Sequence, residues 1–254
     1  MRSFAVNDST PSLGESTAES VATPGDRGVH SGRTSRRCLD LNTVQQSEPD
    51  NRRDRGFAVS RGIWTRKLPI EETRIRVATP ILIGVLGDTH ASITRHRRFL
   101  EPVCEFFRRA DVGVILHAGD AGHALVLEAL ETVAPVAAVR GNADPLDLIE
   151  VLPDRVWIES GTRTVLLMHG HHGKTALIAA RAAAAPEIDL IVFGHSHKPL
   201  IERAGGTILF NPGSPTERRW NPHLGIGLLK ISDAEIQPEL VLFNDPSHLA
   251  NVTP

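Results

Sequence analysis

Five times between Pro80 and His197, a short apolar run stops at a glycine flanked by an acid, an amide or an imidazole. The runs are Pro80 to Leu86, Val112 to Leu116, Pro135 to Val139, Arg163 to Met168 and Asp189 to Phe193. They stop in Gly87-Asp88-Thr89-His90, His117-Ala118-Gly119-Asp120, Arg140-Gly141-Asn142-Ala143-Asp144, His169-Gly170-His171-His172-Gly173 and Gly194-His195-Ser196-His197. Apolar runs of this length read as strands buried on both faces, and each face then needs a covering layer. Amphipathic stretches separate the first three: about Arg95 to Ala110, with Phe99, Val103, Phe106 and Phe107 on one stripe, and about His123 to Thr132. Strands alternating with helices predict parallel βαβ units.

After Pro153 the pattern changes. Arg155 to Glu159 and Arg163 to Met168 flank Ser160-Gly161-Thr162, a hairpin-like turn. An Ala-rich helix is expected over about Lys174 to Ala185. The remainder, Leu200 to Arg203, Thr207 to Phe210, Gly225 to Ile231 and Ala234 to Phe243, reads as strands only. No internal repeat is present. The order fits an α/β chain built as a two-sheet β-sandwich flanked by helices.

Residues 1–76 differ in kind: Ser, Thr, Pro, Gly, Asp and Arg dominate, with no sustained period and few bulky apolar side chains. Such a stretch cannot bury enough surface to offset chain entropy. It is expected to be a disordered or weakly ordered extension, leaving 77–254 as the folded domain. A solvated tail, a transit peptide and an upstream start codon wrongly assigned all remain open, although Asp8, Glu15 and Glu19 fit a transit peptide poorly. No apolar run approaches the roughly 18–20 residues needed to span a bilayer. The chain is therefore expected to be soluble and cytoplasmic. A net charge of −2 gives no reason to expect a nucleic-acid or acidic-membrane partner. Cys38 and Cys104 lie in unlike contexts, so no disulfide framework is implied.

The strand ends carry the chemistry. In extended backbone, residues two apart point to one side, so the spacing of His195 and His197 sends two imidazoles toward one volume. Open α/β sheets place ligands beyond the C-terminal ends of their strands. Carboxylate and amide oxygens mixed with imidazoles suit two divalent cations such as Mn²⁺, Fe²⁺, Ni²⁺ or Zn²⁺, and the absence of thiolates argues against a structural zinc site.

The ordered set Gly87-Asp88-Thr89-His90, Gly119-Asp120, Gly141-Asn142, His169-Gly170-His171 and Gly194-His195-Ser196-His197 resembles the calcineurin-like metallophosphoesterases. Asn211-Pro212-Gly213-Ser214 makes it most similar to their small YfcE-like phosphodiesterases, from about Ile81 to the C-terminus. The resemblance implies that Asp88, His90 and His197 hold one metal, that Asp120 bridges, and that Asn142, His169 and His195 complete the second. It implies Mn²⁺ as first choice and a phosphodiesterase acting on small-molecule or nucleotide phosphoesters through a metal-activated hydroxide. Phosphomonoesterase, nuclease and non-catalytic partner-binding module, the last as in a retromer subunit of this fold, are the alternatives. A homo-oligomer is compatible with all of them.

Two departures from the family pattern stand out. Ala143 occupies the position where many members carry a His that helps protonate the leaving group, and Ala91 replaces a usual glycine. His123, three residues after Asp120, matches a catalytic His of some relatives and is, with Asn142, the candidate catalytic residue. Other polar residues have structural readings: His117 and Cys104 as core, Arg140 as phosphate contact or ion pair, His171 and His172 as ligand support or loop, and Asn211 to Ser214 as loop-shaping.

Overall fold

The computed structural model describes residues 71–92 and 96–254. Eleven strands form two sheets. In chain order they are β1 (Glu72–Val77), β2 (Ile81–Leu86), β3 (Val114–His117), β4 (Val136–Ala138), β5 (Arg155–Ser160), β6 (Arg163–Met168), β7 (Leu190–Phe193), β8 (Leu200–Ala204), β9 (Thr207–Asn211), β10 (Leu224–Ile231) and β11 (Ile236–Phe243). The helices are α1 (His96–Ala110), α2 (Ala124–Glu131), α3 (Leu146–Ile149) and α4 (Ala176–Ala183), with a 3-10 helix at Pro246–Asn251. One sheet runs β1-β5-β6-β7-β9-β8 and the other β11-β10-β2-β3-β4. As expected, β2, β3 and β4 are parallel neighbours, and β5 and β6 form an antiparallel hairpin.

Both faces of the central strands are buried, which is why they read as unbroken apolar runs. Ile83, Val85, Val114 and Leu116 meet Val165, Leu167, Leu190 and Val192 between the sheets. The alternate residues Leu86 and Ile115 point the other way, onto Phe99, Val103, Phe106 and Phe107 of α1 and Val126 and Leu130 of α2. Leu166, Met168, Ile191 and Phe193 face Ala176 and Ala180 of α4. The period of two thus feeds three apolar layers from one set of strands. Cys104 lies in the helix-side core, as expected, where burial pushes its thiol up to about 11.

Three features differ from expectation. Residues 72–76, assigned to the extension, form most of β1, which pairs in parallel with β5 from Glu72↔Arg155 to Val77↔Ser160. Charged residues alternate along this edge strand, so its apolar face reduces to Ile75 and Val77. That is too little to mark a strand by composition. The rest of the extension, 1–70, lies outside the described residues. The stretch after β11 is not strand only: Asp245 caps the 3-10 helix by accepting the Ser247 N–H, and Pro246 occupies its first turn. The third is α3, a single turn after Pro145.

Among the described residues no helix is long and apolar enough to cross a membrane. Burial of a branched side chain is worth about 1.5–3 kcal/mol when complete, and Ile75 and Val77 are half-buried. A chain beginning at Ala78 is therefore expected to be less stable than one beginning at Glu71 by about 2 kcal/mol, read as a lower urea midpoint at unchanged slope.

Candidate metal centre

The five strand ends meet. Asp88 and His90 follow β2, Asp120 follows β3, Asn142 follows β4, His169 follows β6, and His195 and His197 follow β7. Backbone bonds knit the first two loops together: Asp88 N–H to Gly119 O at 2.9 Å, His90 N–H to Asp120 O at 2.9 Å and Ala91 N–H to Ala121 O at 3.0 Å. His195 N–H donates to Asp88 Oδ1 at 2.9 Å and so draws in the loop from the other sheet. Two trios result, Asp88 with His90 and His197, and Asp120 with His169 and His195, the donor atoms within each lying within 4.8 Å of one another. Asp120 Oδ2 stands between them, 3.6 Å from His90 Nε2 and 3.2 Å from His169 Nε2. Asn142 Oδ1 is 3.2 Å from His169 Nε2. All seven expected ligands therefore share one neighbourhood.

The route there differs from the extended geometry the spacing suggests. His195 and His197 have φ of 65° and 55°, and Asp88, His90 and Asp120 are also left-handed at 53°, 41° and 55°. Residues two apart do not point together in that conformation, and the two histidines go to different trios. Left-handed non-glycine residues cost of order 1–3 kcal/mol each, and the loop-to-loop bonds hold them there. Gly119 takes a φ of 87°, and a side chain on it would strike the His169 ring. One on Gly141 would collide with the Asp120 carboxylate.

Tautomers are fixed from outside the cluster. His169 donates Nδ1–H to Ala118 O at 2.7 Å, and His197 donates Nδ1–H to Glu217 O at 3.1 Å. Each therefore presents a bare Nε2 to the interior, and that of His197 lies 3.0 Å from His90 Nε2. Asp88 is fully buried, and no donor among the described residues meets its Oδ2. A buried oxygen and converging nitrogen lone pairs without enough protons between them fit a pair of divalent cations.

The titration behaviour agrees. Burial pushes Asp88 up to about 7. For Asp120, burial acts upward too, but hydrogen bonding and charge from His169 and the Ala143 N–H hold its carboxyl far below the usual range. Burial lowers His197 to about 4, and burial with the neighbouring His169 lowers His195. For His169, burial acts downward, but the hydrogen bond its protonated ring donates to Asp120 and the charges of Asp88 and Asp120 outweigh it, so its pKa rises.

Residues 81–234 match the calcineurin-like phosphoesterase superfamily domain. The chain belongs to that superfamily. A probable metallophosphoesterase of Methanothermobacter thermautotrophicus is 35% identical over 169 residues, covering 65% of this chain and 95% of the relative. Wild-type Vps29 of Entamoeba histolytica, crystallised with Zn²⁺, is 25% identical with a TM-score of 0.50 over 65% of this chain and all of that one. A novel archaeal phosphodiesterase shares the fold, with a TM-score of 0.51 and 23% identity over 63% of this chain and all of its own.

Around this metallophosphoesterase centre the remaining polar residues sort out. His123 caps α2, its Nδ1 accepting the Leu125 N–H at 3.1 Å. His117 is core as expected: Nε2 meets Thr89 Oγ1 at 3.1 Å, and burial lowers its pKa to about 4. Arg140 is a structural ion pair, its Nε and Nη2 on Asp154 at 3.0 and 2.7 Å. His171 packs on His169, ring centroids 5.3 Å apart, whereas the exposed His172 turns toward Asp154. Asn211 donates to Gly194 O at 2.9 Å and Ser214 Oγ to Asp88 O at 2.7 Å, so the Asn-Pro-Gly-Ser segment ties the two histidine-bearing loops to each other.

Asp144 was not marked out by spacing alone. Its Oδ2 accepts N–H groups from Asp120 at 3.1 Å and Gly141 at 2.7 Å, and its Oδ1 accepts that of Gly122 at 2.9 Å. An acid three residues beyond the glycine of a strand-end turn is the available signal, because an Asx side chain there can fold back on the loop backbone. Asp144→Ala leaves three donors without acceptors, each costing about 1–3 kcal/mol unless water enters. The expected loss is about 3 kcal/mol in urea unfolding, against under about 1 kcal/mol for Asp147→Ala at the exposed start of α3.

Proposed function

We propose that this chain is a phosphodiesterase that uses two divalent cations, Mn²⁺ first among them, to hydrolyse phosphoesters of small molecules or nucleotides. The observation that carries the reading is the placement of Asp120, whose Oδ2 lies 3.2 Å from His169 of its own trio and 3.6 Å from His90 of the other. The zinc complex of a relative with the same fold supports the divalent-cation part of this reading. Asp88, His90 and His197 would hold one cation; Asn142, His169 and His195 would hold the other, with Asp120 shared. Bound there, two cations supply Lewis-acid neutralisation of phosphoryl oxygens and a lowered water pKa.

The chain's own side chains do the rest. His169 and His197 keep their protons on Nδ1, held by the carbonyls of Ala118 and Glu217, so Nε2 stays free to bind. Asp144 and Ser214 hold the loops so that the ligand set needs no rearrangement. Ala143 has no proton to give, and we assign leaving-group protonation to His123. With Nδ1 accepting a backbone N–H, its neutral ring carries the proton on Nε2, the atom available for donation.

Chelator-treated protein is expected to be inactive on bis-p-nitrophenyl phosphate and to regain turnover with Mn²⁺ or Ni²⁺. Asp120→Ala is expected to lower kcat at least a hundredfold, about 2.7 kcal/mol of barrier. Absence of turnover by metal-loaded protein, or a wild-type rate for Asp120→Ala, would sink the reading. His123→Ala is expected to spare bis-p-nitrophenyl phosphate, whose leaving group needs no proton, and to slow a dialkyl phosphodiester at least tenfold. Equal rates on the alkyl diester would remove His123 from the mechanism.

A further inference from the structure

A cavity of about 570 Å³ has Thr89 and His90 in its wall, so it shares a side with the Asp88, His90 and His197 trio. Its volume falls within the roughly 300–1,000 Å³ of ordinary small-molecule sites. The buried residues Phe99, Pro215 and Leu224 contribute apolar wall. The charged lining is balanced, two arginines against two carboxylates: Arg98 is paired with Asp245 at 2.7 Å, and Arg218 and Glu217 complete the set. Arg218 also donates to the Asn244 carbonyl, which closes the rim between the segment after Ser214 and the end of β11.

We infer that this cavity receives one ester arm of the substrate, a neutral polar alcohol of nucleoside size, while its phosphate sits on the two trios. The inference rests on the phosphodiesterase reading and adds the substrate class. Apolar wall takes the flat faces of such an arm, and paired charges offer donors and acceptors to its hydroxyl and ring nitrogen atoms. A second phosphate on that arm is expected to gain less than tenfold, because each arginine already has an anionic or carbonyl partner. An inorganic phosphate or a small monoester leaves the cavity unused.

Calorimetry on the full-length, Mn²⁺-loaded protein tests this with inorganic phosphate, adenosine 5′-monophosphate and adenosine 3′,5′-bisphosphate. The monophosphate is expected to bind at least tenfold tighter than phosphate, about 1.4 kcal/mol, and the bisphosphate within twofold of the monophosphate. Asn244 is exposed and outside the ligand set, so Asn244→Trp fills the cavity from its rim. It should bring the monophosphate to within threefold of phosphate while leaving phosphate affinity and Tm unchanged. Arg218→Trp, filling from the neighbouring segment, should narrow the same ratio.

A monophosphate no tighter than phosphate, a ratio untouched in both variants, or a bisphosphate tenfold tighter than the monophosphate would each overturn the inference. Failure of the two readings is separable. Hydrolysis of bis-p-nitrophenyl phosphate with no preference for the monophosphate overturns the cavity's role alone. Tight monophosphate binding lost in both variants, without hydrolysis, supports the cavity's occupant and overturns the enzyme.

Discussion

Two carboxylates and four imidazoles crowded into a largely buried space are unfavourable company for one another, and the surrounding backbone exists to hold them there. Desolvation pushes Asp88 toward its neutral form, and Asp120 is held ionised against burial by His169, the Ala143 N–H and His90. The loops therefore have to be fixed before the cluster can be. Asp144 and Ser214 supply that fixing through charge-assisted or buried hydrogen bonds to backbone, the kind of bond that is costly to leave unmade.

The layered architecture follows from elementary pattern. Strands such as Ile81–Leu86 send alternate residues into two different apolar layers, and that demand for cover on both sides was legible as a continuous run. The candidate ligands were legible as well, since glycine beside an acid or imidazole at a strand end is a local feature. What could not be read was backbone handedness. His195 and His197 look like neighbours on an extended chain, yet left-handed turns at both send them to different trios. Spacing rules assume a regular backbone, and these loops are held out of it by contacts with segments distant in the chain.

Elements whose identity depends on a partner were equally hard to see. Half of Glu72–Val77 is charged, and it becomes a strand because β5 offers it an open edge. Arg140 could have faced phosphate until Asp154, fourteen residues on, claimed its guanidinium in two places. His117 was readable as core because its neighbours in β3 are apolar throughout.

Each trio draws from both sheets: Asp88 and His90 with His197 across the gap, and Asp120 with His169 and His195. The sandwich is thus stapled at one end by its own chemistry. Sliding one sheet over the other would tear both trios at once, so the inter-sheet packing sets the dimensions of the centre. Mutational drift in that apolar interior is consequently felt as a change of coordination geometry, far from any residue that touches the cluster.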